Sequence, residues 1–343
     1  MSRESTIARD LRLFPTHGIR VALLLVVILV GLLPWCGSNY LLDVANRTGI
    51  AIIGALGLNI LTGFTGLISL GNAAFMAIGA FASGYLSAKL GLNTLWTIPL
   101  AGLVTAMLGM IVGVPSLRLK GLYLAMATLA AHFLVEFFIV RWESVTGGVN
   151  GLSIPSPVVA GFPLDNDRGM FMLIYPLVIL SLLFASNLLR TRVGRSFVAI
   201  RDQETAAGVM GIDVFRGKLL AFGLSSFFVG VSGALLACQA KIISPENFPI
   251  TLAIDSLAMI IIGGLGSVAG SLFGAVFLTL LPEGLRLLTS ALAAQYPALV
   301  GMLASLKELV FSGLIIIFLI YAPHGLAGWW RKLLSSLGAD RAE

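Results

Sequence analysis

Apolar runs long enough to cross a lipid bilayer follow one another along almost the whole chain. A helix needs about 20 mostly apolar residues to span the hydrocarbon core, which is about 30 Å thick. With the polar interruptions between them, the runs predict an all-α integral membrane protein of about ten transmembrane helices. The predicted spans lie near residues 20–36, 41–61, 67–88, 95–115, 121–140, 171–189, 218–239, 251–265, 268–283 and 308–322.

The composition agrees with a single membrane domain. Of the 343 residues, 58% are hydrophobic and 11% are charged, whereas soluble domains have about 45–50% apolar and about 25% charged residues. A water-soluble fold of this size could not bury so much apolar surface. We therefore expect a cytoplasmic tail at 1–19, a transmembrane domain at 20–325 with an internal segment at 190–217, and a cytoplasmic tail at 326–343.

The ends of this domain leave structural alternatives open. Residues 3–33 resemble a secretion signal, but the many later spans favour an uncleaved first helix. Residues 287–306 are apolar but interrupted by polar and helix-breaking residues, which is compatible with an interfacial, a re-entrant or a spanning segment. Cys36 and Cys238 are too few for a disulfide framework, and the sequence leaves open whether they pair.

Basic residues predict the orientation of the chain, because Lys and Arg concentrate in the cytoplasmic loops of membrane proteins. Their clusters lie at residues 3–20, 118–120, 190–218 and 331–332. The ten-span arrangement places all four clusters and both termini inside, and it places residues 141–168 and 241–249 outside. The net charge of +6 does not indicate nucleic acid as a partner, since the basic residues form no continuous polar face.

No pattern in the sequence indicates a catalytic site, a metal or a bound cofactor. Metal-ligand clusters, nucleophile elbows and dinucleotide fingerprints are absent from the sequence. The closest approach to a phosphate loop, residues 211–218, has the wrong glycine spacing and is followed by Leu219 instead of Ser or Thr. If ATP drives this protein, another chain must hydrolyse it, and an intramembrane enzyme is the weakest alternative.

Ionisable residues within the predicted spans are few, although such residues are often functional because their burial in lipid is costly. His132 and Glu136 lie four residues apart on one helix face. A locally satisfied polar pair is the simpler interpretation, and a functional pair is the alternative. An ion-coupled secondary carrier would more naturally have a carboxylate near the membrane centre, so the sequence disfavours that class.

Two segments combine small residues with polar ones, as expected where irregular backbone lines a cavity within the membrane. Close helix packing is the other interpretation of the same residues. The sequence of Gly66–Ser69 is echoed at Gly264–Ser267, which an internal repeat or a chance match would explain. The candidate substrate-pathway residues are Asn59, Thr62, Thr65, Ser69, Asn72, Gly263, Gly264 and Ser267.

The internal segment from Arg195 to Asp213 is predicted to be a helix. Phe197, Ile200, Glu204 and Ala207 fall on one face at helical spacing. An apolar face at the inner surface suits a groove of a soluble partner, and a helix lying on the bilayer is the alternative. Reversing the charge of Glu204 at such a polar surface is expected to change the free energy of folding by no more than about 0.5 kcal/mol.

Several motifs carry a resemblance to a known family. Glu204-Thr205-Ala206-Ala207 followed by Gly211 resembles the cytoplasmic coupling motif of ABC importer permeases, with Thr205 as one inserted residue. The runs near residues 57–71, 118–127, 146–152, 194–213 and 261–267 extend the likeness. Together they resemble the LivM-type permeases of branched-chain amino acid importers across about residues 40–325.

This resemblance implies the ABC importer permease fold in a bacterial inner membrane. It implies a LivH-type second permease, two ATPase subunits that bind ATP and Mg, and an extracytoplasmic substrate-binding protein. It also implies a small neutral or zwitterionic substrate, an aliphatic amino acid first and urea or a short amide second. The implied ATPase-coupling residues are Arg195, Phe197, Ile200, Arg201, Glu204, Ala206, Ala207, Gly211 and Asp213.

Overall fold

A computed structural model describes residues 38–295 except 120, 160 and 161, together with Pro34, Leu309, residues 312–313, Ile316 and residues 325–328. Almost all of the first and the last predicted spans, Cys36 and most of both tails lie outside these residues. Cys238 is buried and forms no disulfide with any described residue.

The described chain is dominated by helices, and seven of its helical segments are long and apolar enough to cross a membrane. This confirms an all-α membrane protein, while the count of ten spans stays a prediction. The helices are α1 (Asn39–Asn59, continued by a π-helical turn at Ile60–Phe64), α2 (Asn72–Ala88), α3 (Thr94–Ser116), α4 (Leu122–Arg141), α5 (Glu143–Thr146), α6 (Asp167–Arg190), α7 (Arg192–Asp202), α8 (Glu204–Val209), α9 (Val214–Ala240), α10 (Ile250–Gly263) and α11 (Val268–Gln295).

Two of the predicted spans have different limits in the structure. In the span predicted at 67–88, the helix begins only at Asn72. Gly66, whose φ is 73°, ends the helical turn that continues α1, and the residues between Gly66 and Asn72 are not helical. The span predicted at 268–283 continues through Pro282 to Gln295. The first part of the segment at 287–306 is therefore a continuation of α11, and the rest lies outside the described residues.

Helix α9 occupies the centre of the fold, where it packs against α1, α2 and α3. Its contact with α2 is backbone to backbone: a Cβ atom on Gly233 would overlap the carbonyl of Met76, and one on Gly79 would overlap the carbonyl of Gly230. In a membrane, helices associate largely through close packing of small residues. These glycines therefore hold the short α2 against the central helix.

Short strands join two loops at one end of the helices. The strands are β1 (Leu152–Ser153), β2 (Val158–Val159), β3 (Phe162–Pro163) and β4 (Ile242–Ile243). Strand β1 pairs antiparallel with β4, and β2 pairs with β3. Helix α6 leads away from this end and α9 leads back to it, so α7 and α8 lie at the opposite end. The two loops predicted to be external thus lie together, and the segment predicted to be internal lies away from them.

Candidate functional site

Asn59 joins the two segments that the sequence indicates as a substrate pathway. Its side chain is fully buried, and its Nδ2 donates to the carbonyl of Ser267 at 2.9 Å and to Oγ of Ser271 at 2.8 Å. Its Oδ1 accepts from the backbone N–H of Gly266 at 3.0 Å. The end of α1 is therefore bound to the turn between α10 and α11, although Asn59 and Ser267 are 208 residues apart.

The π-helical turn after Asn59 brings Gly63 against the same turn. A Cβ atom on Gly63 would lie 2.5 Å from the backbone nitrogen of Gly266, so no larger residue fits without moving one of the segments. Single π-helical turns are rare and occur frequently at functional sites. Gly264 and Gly266 have φ values of 121° and 75°, which other residues rarely adopt. Backbone geometry and side-chain contacts thus define this junction together.

The remaining polar candidates mostly stabilise the local backbone. Thr62 donates to the carbonyl of Leu67 at 3.1 Å, and Thr65 donates to the carbonyl of Leu61. Ser69 accepts from the N–H of Gly71 at 3.3 Å. Asn72 is buried, and its Nδ2 has no hydrogen-bond partner among the described residues. These bonds favour a role in shaping the turn, and a direct role in the substrate pathway stays a prediction.

Gly263 serves close helix packing. A Cβ atom on it would overlap the carbonyl of Gly270 and lie 3.0 Å from the nitrogen of Gly274. This contact brings α10 and α11 together immediately beside the Asn59 junction.

Arg201 connects the α7 helix to this junction. Its Nη1 donates to the carbonyl of Gly63 at 2.9 Å, while Nε and Nη2 donate to Asp202. A Cβ atom on Gly266 would lie 2.7 Å from Nη1, and one on Gly66 would lie 3.1 Å from Cγ of Arg201. The guanidinium and its stem therefore lie between the two glycine turns that the sequence echo identifies.

The predicted helix from Arg195 to Asp213 is two helices in the structure, because Gln203 is extended, with φ −161° and ψ 102°. The expectation that its apolar face is open to a soluble partner is wrong. Phe197, Ile200 and Ala207 are 0%, 4% and 4% exposed, because this chain's own residues cover them, and Phe197 belongs to the hydrophobic core. Sequence periodicity identifies the apolar face but does not tell what covers it.

A different surface of this segment is open. Val209 and Met210 are 89% and 83% exposed at the end of α8. The candidate residues Arg195, Ala206, Gly211 and Asp213 are exposed as well. Asp213 accepts from the N–H of Arg216 at 3.0 Å and thereby caps α9.

Glu204 forms an ion pair with Lys218 in the first turns of α9, with 2.9 Å between Oε1 and Nζ. The Lys218 side chain is 7% exposed and that of Glu204 is 34% exposed. The premise that Glu204 lies at an ordinary polar surface is therefore wrong. Reversing its charge would leave a buried cation without its counter-charge and is expected to cost more than about 0.5 kcal/mol. Sequence spacing gave no sign of this pair.

A family model described as branched-chain amino acid transport system / permease component matches residues 40–319. The chain belongs to this permease family. Two relatives are high-affinity branched-chain amino acid transport system permease proteins LivM. One, from Salmonella typhimurium strain LT2, is 34% identical, with 88% of this chain and 73% of the relative covered. The other, from Escherichia coli K12, is 32% identical, with 95% and 79% covered.

A more distant relative of this permease is a probable LivH permease protein of Methanocaldococcus jannaschii. It is 27% identical, with 83% of this chain and 91% of the relative covered. No solved structure matches the chain. The comparisons confirm the LivM-type resemblance, and with the apolar helices they establish a multi-pass membrane protein and a transport subunit.

The described part of the permease contains no group of side chains suited to hold a metal ion. Asp43 lies in the first turns of α1, at the same end of the helices as the paired loops. It forms an ion pair with Arg47, with 2.9 Å between Oδ2 and Nε. Asp43 also accepts from Nε2 of Gln239 at 2.8 Å. His132 is 2% exposed on α4, with Glu136 one turn further along.

Proposed function

We propose that this chain is a transmembrane permease subunit of an ATP-driven importer of branched-chain amino acids. Its family membership and its identity with LivM proteins over most of its length support the substrate class. The observation that carries the coupling mechanism is the hydrogen bond from Arg201 to Gly63, which joins a helix outside the membrane core to a buried polar junction.

The open side of α8 is the surface proposed to contact an ATPase. Val209, Met210 and Ala206 present apolar surface there, and apolar helix faces commonly bind in grooves of partner proteins. The buried face of α7, with Phe197 and Ile200, holds the segment to the membrane core. Movement of the segment by an ATPase would therefore act on Arg201 and on the junction of α1, α10 and α11.

The proposed assembly contains a LivH-type second permease, two ATPase subunits and an extracytoplasmic substrate-binding protein. ATP and Mg belong to the ATPases, whereas this chain supplies the path and the coupling contacts. The solute changes the balance between inward-open and outward-open states only if its affinity differs between them. This proposal predicts a bacterial inner-membrane complex in which both termini of this chain are cytoplasmic.

Uptake by reconstituted vesicles tests the proposed function. We expect labelled leucine to accumulate only when both permeases, the ATPases and the binding protein are present and ATP is supplied on the side of the membrane that bears the ATPases. Unlabelled isoleucine and valine should compete, and urea or a short amide should not. Full uptake without the ATPases would refute ATP-driven import and favour an ion-coupled carrier, and competition by urea alone would overturn the substrate class.

Single cysteines test the proposed orientation. Asn166 and Gln203 are both exposed and lie at opposite ends of the helices. We expect an impermeant thiol reagent to label Asn166→Cys in intact cells and to label Gln203→Cys only after the membrane is opened. The parent chain without Cys36 and Cys238 is the control for background labelling. Labelling of Gln203→Cys in intact cells, with Asn166→Cys silent, would invert the topology.

A further inference from the structure

A small cavity lies between α2, α4 and the turn at Pro245–Asn247, at the end of the helices that bears the paired loops. Its volume is about 10 Å³, which is room for one water-sized group. Ala74, Ala77 and Phe248 supply apolar walls, and His132 and Glu136 supply the ionisable groups. The cavity is therefore apolar except on one side.

His132 lines this cavity and has a buried nitrogen without a partner. The residue is 2% exposed, and its Nδ1 has no hydrogen-bond partner among the described residues. A buried polar atom without a partner is costly, and such atoms in native proteins are usually satisfied by a bound group. A group bound in the cavity would lie beside the His132 ring.

Glu136 adds a carboxylate on the same side of the cavity. It is exposed in this chain and lies roughly 7 Å along the axis from the end of α4, at about 1.5 Å per residue. Its neighbours Phe133, Phe137 and Phe138 are more than half exposed. A carboxylate on such a face is costly against lipid unless a cation faces it. No basic side chain among the described residues forms an ion pair with it, and Arg141 lies over the ring of Phe137 instead.

We propose that His132 and Glu136 bind the ammonium group of the substrate as it enters the permease. An ammonium group is about the size of a water molecule, and its hydrogens suit a carboxylate oxygen and the free nitrogen of a neutral imidazole. Its charge neutralises Glu136, while the rest of the substrate lies on the open side of the cavity. This inference rests on the proposed import of amino acids, and it adds the group that the permease itself recognises.

Chemical labelling tests the cavity without depending on transport. Val135 lines the cavity and is partly exposed. The assembled complex carries Val135→Cys in a chain without Cys36 and Cys238. The cysteine is labelled with a cationic (2-aminoethyl) or an anionic (2-sulfonatoethyl) methanethiosulfonate. The two labelling rates are compared after each is divided by the rate of the same reagent with a free thiol in solution. We expect the cationic reagent to react roughly tenfold faster than the anionic one, because a carboxylate a few ångströms away attracts the cation. Leucine should slow the reaction of the cationic reagent.

Two variants and one ligand analogue make the test specific. Glu136→Gln should abolish the preference for the cationic reagent. Glu143→Gln, the same change on the neighbouring α5 outside the cavity, should leave it intact. The deaminated analogue 4-methylpentanoate should give no protection, because it has the aliphatic group of leucine but no ammonium group.

Other results would overturn the proposal. An unchanged preference in Glu136→Gln, or equal protection by leucine and 4-methylpentanoate, would exclude an ammonium site. If the cysteine still reacts faster with the cationic reagent but leucine does not protect it, the cavity holds only water and does not bind substrate. Reactivity of Val135→Cys that is present in this chain alone and absent from the assembled complex would assign the cavity to the subunit interface. Because the labelling needs no ATP, failure of leucine uptake with protection intact would count against the importer and not against this site.

Discussion

Replacing Arg201 with Met should lower ATP-driven leucine uptake by at least about tenfold while the complex still assembles. The change removes the bond from Nη1 to the carbonyl of Gly63 and the contact between the guanidinium and Gly266. A hydrogen bond from a charged group contributes about 1.5–3 kcal/mol, and every 1.4 kcal/mol corresponds to about tenfold. The ATPases would then move α7 and α8 without moving the junction at Asn59.

The measurement is leucine uptake together with ATP hydrolysis in the same vesicles. Hydrolysis should persist but lose its stimulation by the loaded binding protein, which is the signature of uncoupling. Arg192→Met is the matched control, because Arg192 is exposed on the same helix and away from the junction. Arg201→Lys should restore part of the uptake, since one donor can still reach Gly63. Normal coupled uptake by Arg201→Met would eliminate this connection from the mechanism.

The long helices could be predicted well from the sequence. The limits of α3 and α4 differ from the predicted spans by a residue, because an apolar run that ends at polar residues marks both the span and the helix. The late start of α2 at Asn72 was not predictable in this way. Residues 65–71 are apolar enough to continue a span, but the left-handed conformation of Gly66 ends the helix there.

The candidate site was predicted only in part, because its contacts join distant segments. The sequence identified Asn59 and Ser267 as members of two polar segments, but the hydrogen bonds between them depend on tertiary packing. The short sequence similarity between Gly66–Ser69 and Gly264–Ser267 was the one feature of the sequence that linked the two turns. Their shared contact with Arg201 follows from the position of α7, which no local pattern specifies.

Replacing Glu204 with Arg should destabilise the permease, in contrast to an ordinary charge reversal at a surface. The Nζ of Lys218 lies 2.9 Å from Glu204 and is almost fully buried. Removing one partner of a fully buried pair costs about 3–5 kcal/mol. We expect about 2–4 kcal/mol here, because Glu204 is one-third exposed and water screens part of its charge. The new cation would also repel Lys218.

Thermal unfolding of the purified complex in detergent measures this effect, with the monodisperse fraction as a second readout. Asp165→Arg is the matched control, because it reverses a charge in an exposed pair with Lys241 and should shift the midpoint little. The double variant Glu204→Gln with Lys218→Met should recover most of the loss, since it removes both charges and leaves no unpaired ion. A midpoint for Glu204→Arg equal to that of Asp165→Arg would mean that Lys218 does not depend on Glu204. In that case contact with an ATPase would be the role left for Glu204, and its substitution would be expected to impair assembly instead of folding.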